Sequence, residues 1–206
     1  MESPPATSRQ AFEEAIGFLL ATTERVRPEQ WDAPALGEWC VRDLVGHASR
    51  GLITTEAFLQ RPAATLDFAT AGDYMVSVLA QPGAAARVAQ NGREAGAALG
   101  DEPCRALGEL AARVLPVVAA ADGAQPITTP AGGTRLADYL TTRVFELMTH
   151  TLDLAHAIGA AVEPPPAAAA LALYLASDIA VRTGKAPDTL LALTGRRPLP
   201  AGFSLV

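Results

Sequence analysis

Apolar residues recur at spacings of three and four along most of the chain, a period typical of amphipathic α-helices. In residues 8–26 the stripe contains Phe12, Ile16, Leu19 and Leu20, with acids early and arginines late. Prolines and glycines interrupt the period and so divide the chain into helices. The predicted helices cover residues 8–26, 41–61, 73–79, 82–99, 102–121, 135–159 and 167–183.

Several helix ends carry recognisable signals. We expect Thr134 to act as the N-cap of the long helix that ends at residue 159, and Gly159, which has no Cβ, to end that helix in the left-handed conformation. Pro82 is placed in the first turn of the helix that runs to residue 99. Residues 28–40 contain prolines, a glycine and both tryptophans, and are predicted to form a loop.

The whole pattern predicts an all-α fold, a four-helix bundle with additional short helices and an irregular C-terminal tail. We expect one bundle domain over residues 8–183 and a tail over residues 184–206 that packs on the bundle. The composition agrees with this fold. Half of the residues are apolar but only 5% are aromatic, which favours close-packed helices over a sheet.

Charge and hydropathy exclude two classes of partner. The formal net charge is -6 and no block of lysine and arginine occurs, so no nucleic-acid partner is expected. No window of about 20 residues is free of charges and helix breakers, so no membrane span is predicted. The cysteines, Cys40 and Cys104, lie outside any CxxC pattern, which fits a reducing compartment, and we expect a cytoplasmic protein. Alanine-rich helix faces could also serve a homodimer.

Candidate chemistry concentrates in the otherwise apolar segment RVFELMTHTLDLAHAIG, residues 143–159. At about 100° per residue, Glu146, His150 and Asp153 fall within about 60° of one another. His156 points about 120° away from His150 and is not expected to share their role. The apolar neighbours leave no wide solvent-facing stripe, so the common face is predicted to look inward. A buried carboxylate and imidazole need partners, or they cost several kcal/mol.

A metal ion is one partner that would satisfy this face. Glu and His at i and i+4 converge on one point, and both are good ligands for a divalent first-row metal. The chain has three histidines, and the remaining one, His47, lies in the middle of the second predicted helix. Together His47, Glu146 and His150 would leave at least one coordination position free, as catalytic sites do. Zinc is the favoured ion, although nickel and iron suit the same ligands, and Asp153 is predicted to orient His150.

Other interpretations of the same residues remain open. Glu146 could instead pair with Arg143 on one helix face, and His47 could be a hydrogen-bonded core histidine. Trp39 is interpreted as a core or loop anchor or, alternatively, as a residue that lines a pocket. Cys40 could be a ligand or a nucleophile, yet nothing near it in the sequence would activate its thiol.

Two segments carry a resemblance to a known family. WDAPALGEWCVRDLVGHASR, residues 31–50, and TRVFELMTHTLDLAHAIG, residues 142–159, match it in order and separation, and ITTPAGGTRLADYL before the second also looks like it. Over about residues 8–183 the chain resembles the mycothiol-dependent maleylpyruvate isomerase N-terminal family, a branch of the DinB-like metal-binding four-helix bundles. The alanine-rich composition is compatible with an actinobacterial origin.

The resemblance implies a zinc site built from His47, Glu146 and His150. Its free position would bind the thiol of mycothiol, which becomes a thiolate nucleophile toward a small electrophile. The isomerase proper resembles a two-domain protein, and the last residues here cannot form its second domain, so an S-transferase is expected alongside an isomerase. Arg143 and Trp39 are predicted to contact substrate or cofactor. Two rival functions are a hydrolase that activates water at the same ion and a non-enzymatic, stress-related or regulatory bundle.

Overall fold

The computed structural model describes residues 7–206, and most of that part of the chain is helical. The α-helices are α1 Ser8–Thr23, α2 Val41–Leu59, α3 Ala71–Leu79, α4 Ala84–Ala98, α5 Pro103–Ala120, α6 Leu136–Ile158, α7 Pro166–Arg182 and α8 Ala186–Leu193. The strands are β1 Pro34–Leu36, β2 Trp39–Cys40, β3 Pro126–Thr129 and β4 Gly132–Arg135. The predicted all-α, DinB-like four-helix bundle with additional short helices is confirmed.

Helices α1, α2, α5 and α6 surround the main hydrophobic core, and α7 packs on α1 and α6. Each of the four helices contributes large side chains that are almost completely buried. Among them are Phe12, Ile16, Leu44, Leu52, Leu107, Leu147 and Leu154. Burial of one such side chain stabilises the fold by roughly 1.5–3 kcal/mol. The apolar stripes identified in the sequence are therefore the faces that these helices bury against one another.

Helix α4 lies unusually close to α2 because both helices carry glycine at their contact. A Cβ added at Gly46 would lie 2.1 Å from the backbone nitrogen of Gly96. One turn away, a Cβ at Gly92 would lie 2.7 Å from the ring of Trp39. The glycines in α4 thus let two backbones and an indole ring pack where any larger residue would clash.

The segment predicted as a loop before α2 contains two ordered pieces. A short 3₁₀ turn covers Pro28–Gln30, and β1 and β2 form a small antiparallel hairpin in which Pro34 pairs with Cys40. Gly37 makes the turn between the strands with φ 56°. The prediction of a loop is wrong here because strands of two and three residues are too short to show an alternating pattern. The hairpin places Trp39 immediately before α2.

A second antiparallel hairpin, β3–β4, precedes α6, with Ile127 opposite Thr134. Thr134 lies inside β4, so the prediction that it caps α6 is wrong, and the N-cap residue is Arg135. No side chain caps this end. The first N–H groups of α6, those of Leu136 and Ala137, donate instead to backbone carbonyls of the preceding loop, at 2.9 Å each. Main-chain partners therefore replace the expected threonine cap.

Among the other predicted helix ends, that of α3 at Leu79 is correct, whereas the end of α1 and the start of α4 differ from the structure. Helix α1 ends earlier than predicted, at Thr23. Helix α4 begins only after Gly83, whose φ of 69° is left-handed, so Pro82 precedes the helix and does not lie in its first turn. Gly159 ends α6 with φ 68°, as predicted.

The tail after α7 is not irregular throughout, because α8 occupies part of it and packs on α7. That part of the fold prediction is wrong. Further along, Leu205 packs against a small buried cluster that includes Met75 and Phe145. The division into a bundle over residues 8–183 and a tail over 184–206 stays a prediction. No helix among residues 7–206 is long and apolar enough to cross a membrane.

Candidate metal centre

Helices α2 and α6 run antiparallel and bring the three predicted ligands together. His47 comes from the middle of α2, and Glu146 and His150 come from successive turns of α6. One donor atom from each residue lies within 4.8 Å of the other two. Farther along the same helix pair, the Tyr139 hydroxyl donates to Thr54 Oγ1 at 2.6 Å, which fixes the register between α2 and α6.

The two distances from the Glu146 carboxylate to the imidazoles match those between ligands around one ion. Glu146 Oε2 lies 3.4 Å from His47 Nε2 and 3.5 Å from His150 Nε2. Both distances exceed the usual range of about 2.7–3.2 Å for an N–H···O hydrogen bond. Tetrahedral ligands that each lie about 2.0–2.1 Å from a zinc ion are about 3.3–3.4 Å apart. The residues present therefore fit a divalent ion better than they fit one another.

Asp153 stands behind His150, where it was predicted to act. Its Oδ2 accepts a hydrogen bond from His150 Nδ1 at 3.1 Å. That bond directs the other ring nitrogen, Nε2, toward Glu146. Carboxylates behind metal-binding histidines have this arrangement because they fix both the tautomer and the ring orientation.

The charges of the cluster compensate one another. Burial alone would raise the pKa of Glu146, but the imidazoles of His150 and His47 and the guanidinium of Arg143 outweigh it and hold that pKa below its usual value. Burial lowers the pKa of His47. Burial would also lower the pKa of His150, but the hydrogen bond to Asp153 and the nearby carboxylate of Glu146 raise it to about 9. One imidazole is therefore neutral and the other charged at neutral pH.

Trp39 packs against the ring of His47 and also lies near His150, at 6.3 Å between ring centroids. The Trp39 and His47 rings lie 4.6 Å apart between centroids, with planes tilted by 32°. The indole is itself fixed, because Trp39 is only 8% exposed and its Nε1 donates to Ala89 O at 3.0 Å. His47 Nδ1 is buried and has no hydrogen-bond partner among the described residues. Ring contact, and not a second hydrogen bond, therefore orients His47.

A cavity of about 450 Å³ opens beside the cluster. His47, Glu146 and His150 lie along its wall, and their side chains keep 11%, 23% and 16% of their exposure. Helices α2, α3, α4 and α6 supply the remaining wall, and Val206 also lines the cavity. The donor atoms thus face a space large enough for a small molecule.

The family comparison agrees with this arrangement. A family model described as the mycothiol maleylpyruvate isomerase N-terminal domain matches residues 12–155, well over half of the chain, and that span includes all three clustered residues. The chain belongs to this family. No curated protein and no solved structure matches it.

The chain has two cysteines, Cys40 and Cys104, and neither lines the cavity. Cys40 Sγ accepts a hydrogen bond from a backbone N–H at the start of α2, and burial raises the pKa of its thiol. Cys104 Sγ donates to Thr23 O at 3.6 Å, and burial likewise raises its pKa. Both thiols are therefore poor nucleophiles. His156 is exposed near the end of α6, away from the cluster.

The alternative pairing of Glu146 with Arg143 is not observed, since no ion pair within 4.0 Å joins them in the described part of the chain. Arg143 and Trp39 line the cavity, and their contact with a ligand stays a prediction. Sequence reasoning missed Arg50 and Asn91, which also line it. For Arg50 a signal existed, because it follows His47 by three residues on one helix.

Proposed function

We propose that this chain holds a divalent ion through His47, Glu146 and His150 and acts on a small electrophile with the help of a thiol such as mycothiol, as an isomerase or S-transferase. The observation that carries the proposal is the cluster of three donor atoms within 4.8 Å of one another on the wall of a cavity, with Glu146 Oε2 3.4 and 3.5 Å from the two imidazole nitrogens. Zinc in such a site, or nickel or iron in its place, lowers the pKa of a bound thiol and so supplies a nucleophile at neutral pH.

The chain's own residues supply position and charge. Asp153 holds the His150 ring with Nε2 toward the site, and Trp39 holds the His47 ring. Glu146 stays ionised and so offers a carboxylate oxygen as a donor. The apolar part of the cavity excludes water from the side on which the electrophile would enter.

An external thiol is supported by the state of the chain's cysteines. Cys40 and Cys104 lie outside the cavity, and burial raises the pKa of each thiol. A thiol reaction in this cavity therefore needs a thiol that enters from solution. The cavity of about 450 Å³ can admit a thiol of modest size, with Trp39 and Arg143 on its wall.

The first experiment is elemental analysis of the wild type, His47→Ala, His150→Ala and the matched control His156→Ala. His156 lies on the same helix as His150 but is exposed and outside the cluster. We expect close to one ion per chain in the wild type and in the control, and loss of the ion in the other two variants. Stoichiometric ion in both His47→Ala and His150→Ala would refute the site.

The second experiment separates the thiol reaction from a hydrolase that uses the same ion. Protein substituted with cobalt is titrated with mycothiol and, in parallel, with its oxidised disulfide, which offers no free thiol. A sulfur-to-cobalt absorption band that appears only with the thiol supports the proposal. Unchanged spectra with both compounds favour the hydrolase.

A further inference from the structure

Two arginines line the cavity at the same level, one helical turn from the cluster. Arg50 follows His47 by three residues on α2, and Arg143 precedes Glu146 by three residues on α6. Because the two helices are antiparallel, both steps lead in the same direction, toward the contact between Thr54 and Tyr139. Three residues of α-helix correspond to about 4.5 Å along the axis.

Neither arginine is paired directly with a carboxylate in the described part of the chain, although Arg143 is near enough to Glu146 to help lower the pKa of that carboxyl. In the part of the chain from residue 7 onward, no acidic side chain lies within 4.0 Å of Arg50 or Arg143. The Arg143 guanidinium donates from Nε to Thr142 Oγ1 at 3.2 Å and lies over the Tyr139 ring, with Cζ 5.0 Å from its centroid. Its two terminal nitrogens have no hydrogen-bond acceptor among the described residues. Two cations with unused donors therefore face the cavity.

This lack of partners contrasts with the rest of an acidic chain. Arg113 binds both carboxylate oxygens of Glu56, and Arg182 pairs with Asp73 and Asp178. With 22 acidic and 16 basic residues, carboxylates are abundant. Cations left without them on the wall of a cavity are available to a ligand that brings its own negative charge.

The opposite wall of the cavity is mostly apolar. It is formed by Met75, Val78 and Leu79 of α3 and by Val88 of α4, with Asn91 of α4 as an uncharged polar residue. Thr54 adds a hydroxyl near the arginines, but that hydroxyl already donates to Arg50 O at 2.7 Å and accepts from Tyr139. A ligand would thus meet the ion site and the two guanidinium groups on one side and mostly hydrocarbon on the other.

We propose that Arg50 and Arg143 form an anion subsite for the carboxylate of the electrophile, which is a monocarboxylate with a short apolar chain. The inference rests on the proposed function and specifies the chemical class of the electrophile that reacts with the thiol. Guanidinium groups bind carboxylates through paired N–H donors, which fixes orientation as well as charge. A second carboxylate on the ligand would lie against the α3–α4 wall, which has no cation to pair with it, at a cost in desolvation.

Calorimetric titration of the metal-loaded protein tests the subsite with unreactive probes. Butanoate carries the carboxylate and the chain, butanamide lacks the charge, and butanedioate adds a second carboxylate. We expect butanoate to bind about tenfold more tightly than either of the others, since a hydrogen-bonded charge is worth about one factor of ten or more. Arg50→Met and Arg143→Met should each weaken butanoate binding about tenfold and leave butanamide unchanged.

Arg61→Met is the matched control. Arg61 lies over the Phe58 ring near the end of α2, has no acidic partner among the described residues and does not line the cavity. The control should bind butanoate as the wild type does. If Arg143→Met does not fold, Arg50→Met and Arg143→Lys decide the outcome, because lysine keeps the charge and loses the paired donors. The proposal is overturned if the substitutions at Arg50 and Arg143 both leave the affinity for butanoate unchanged. It is also overturned if butanedioate binds more tightly than butanoate.

A further arm assigns the carboxylate to the electrophile and not to the thiol. Titration of butanoate is repeated with saturating 2-mercaptoethanol, a neutral thiol. Unchanged butanoate affinity supports the subsite, whereas competition between the two compounds overturns it. Metal content and the cobalt spectra are measured separately. An arginine-dependent butanoate site in a protein that retains no ion would refute the proposed function and leave the subsite standing.

Discussion

Binding of the ion should release one proton, and His150 is its source. In the metal-free protein, the hydrogen bond to Asp153 and the nearby carboxylate of Glu146 raise the pKa of His150 to about 9 in spite of burial, so this ring is almost fully protonated at pH 7.5. Burial lowers the pKa of His47, and that of Glu146 is also lowered, so neither carries a proton to release at that pH. The ion must displace the Nε2 proton of the His150 imidazolium, while the Nδ1 proton stays in the hydrogen bond to Asp153.

The size of the effect follows from the shift. The pKa of His150 rises from the ordinary value of 6.5 to about 9. Since one pKa unit corresponds to about 1.36 kcal/mol, this imidazole holds its proton by roughly 3 kcal/mol more than a free imidazole does. The apparent affinity for the ion should therefore rise about tenfold per pH unit between pH 7 and 9.

Metal-free protein should show the opposite trend in stability. Its native state holds a proton that the unfolded chain has lost, so stability decreases as the pH rises from 6.5 to about 9.

The assay is calorimetry of zinc binding at pH 7.5 in buffers with different ionisation enthalpies, which counts the protons released. Asp153→Asn is the comparison, because it removes the hydrogen bond that contributes most to the raised pKa of His150 and leaves the three proposed ligands in place. Water at the ion could also lose a proton, but it would do so in both proteins. Equal proton counts for the wild type and Asp153→Asn would refute the reasoning.

Three further predictions concern packing around the site. Trp39→Phe should keep the fold but weaken zinc binding about tenfold, measured by competition with a chelator, because the smaller ring supports the neighbouring imidazole less well. Gly46→Ala should destabilise the protein by about 1–3 kcal/mol or more in chemical denaturation, since its Cβ would meet the Gly96 backbone, whereas the control Gly17→Ala, with nothing within 4 Å, should be neutral or stabilising. Gly51→Ala makes only ordinary contacts and should retain the ion while it narrows the cavity, so butanoate binding should weaken with zinc content unchanged.

The sequence predicted the helices well because a buried stripe repeats over several turns. Such repetition is absent from the two hairpins, whose strands have two to four residues. Thr134 shows the ambiguity: a threonine before a helical period fits an N-cap, yet it also suits a strand, and only the pairing with Ile127 decides between them. The glycines of α4 have low helix propensity, although the approach of Gly46 to Gly96 requires glycine there.

The candidate site was predictable in part, and for a definite reason. Two donors on one helix at i and i+4 are visible in the sequence, and with three histidines in the chain few residues could complete the set. The cavity wall was not predictable, because it depends on which helices become neighbours. Val88 and Asn91 face His47 only because α4 packs on α2, and that contact was not visible in either helix alone.

Val206 lines the cavity, and this position has a practical consequence for work on the protein. Whatever is joined after Val206, whether natural sequence or an engineered extension, begins at the rim of the proposed site. A polyhistidine tag fused there would bring additional imidazoles next to His47 and His150, where they could compete for the ion or enter the cavity. Metal stoichiometry measured on such a fusion would report the tag together with the site. A purification tag for the experiments above should therefore be placed elsewhere or removed before metal analysis.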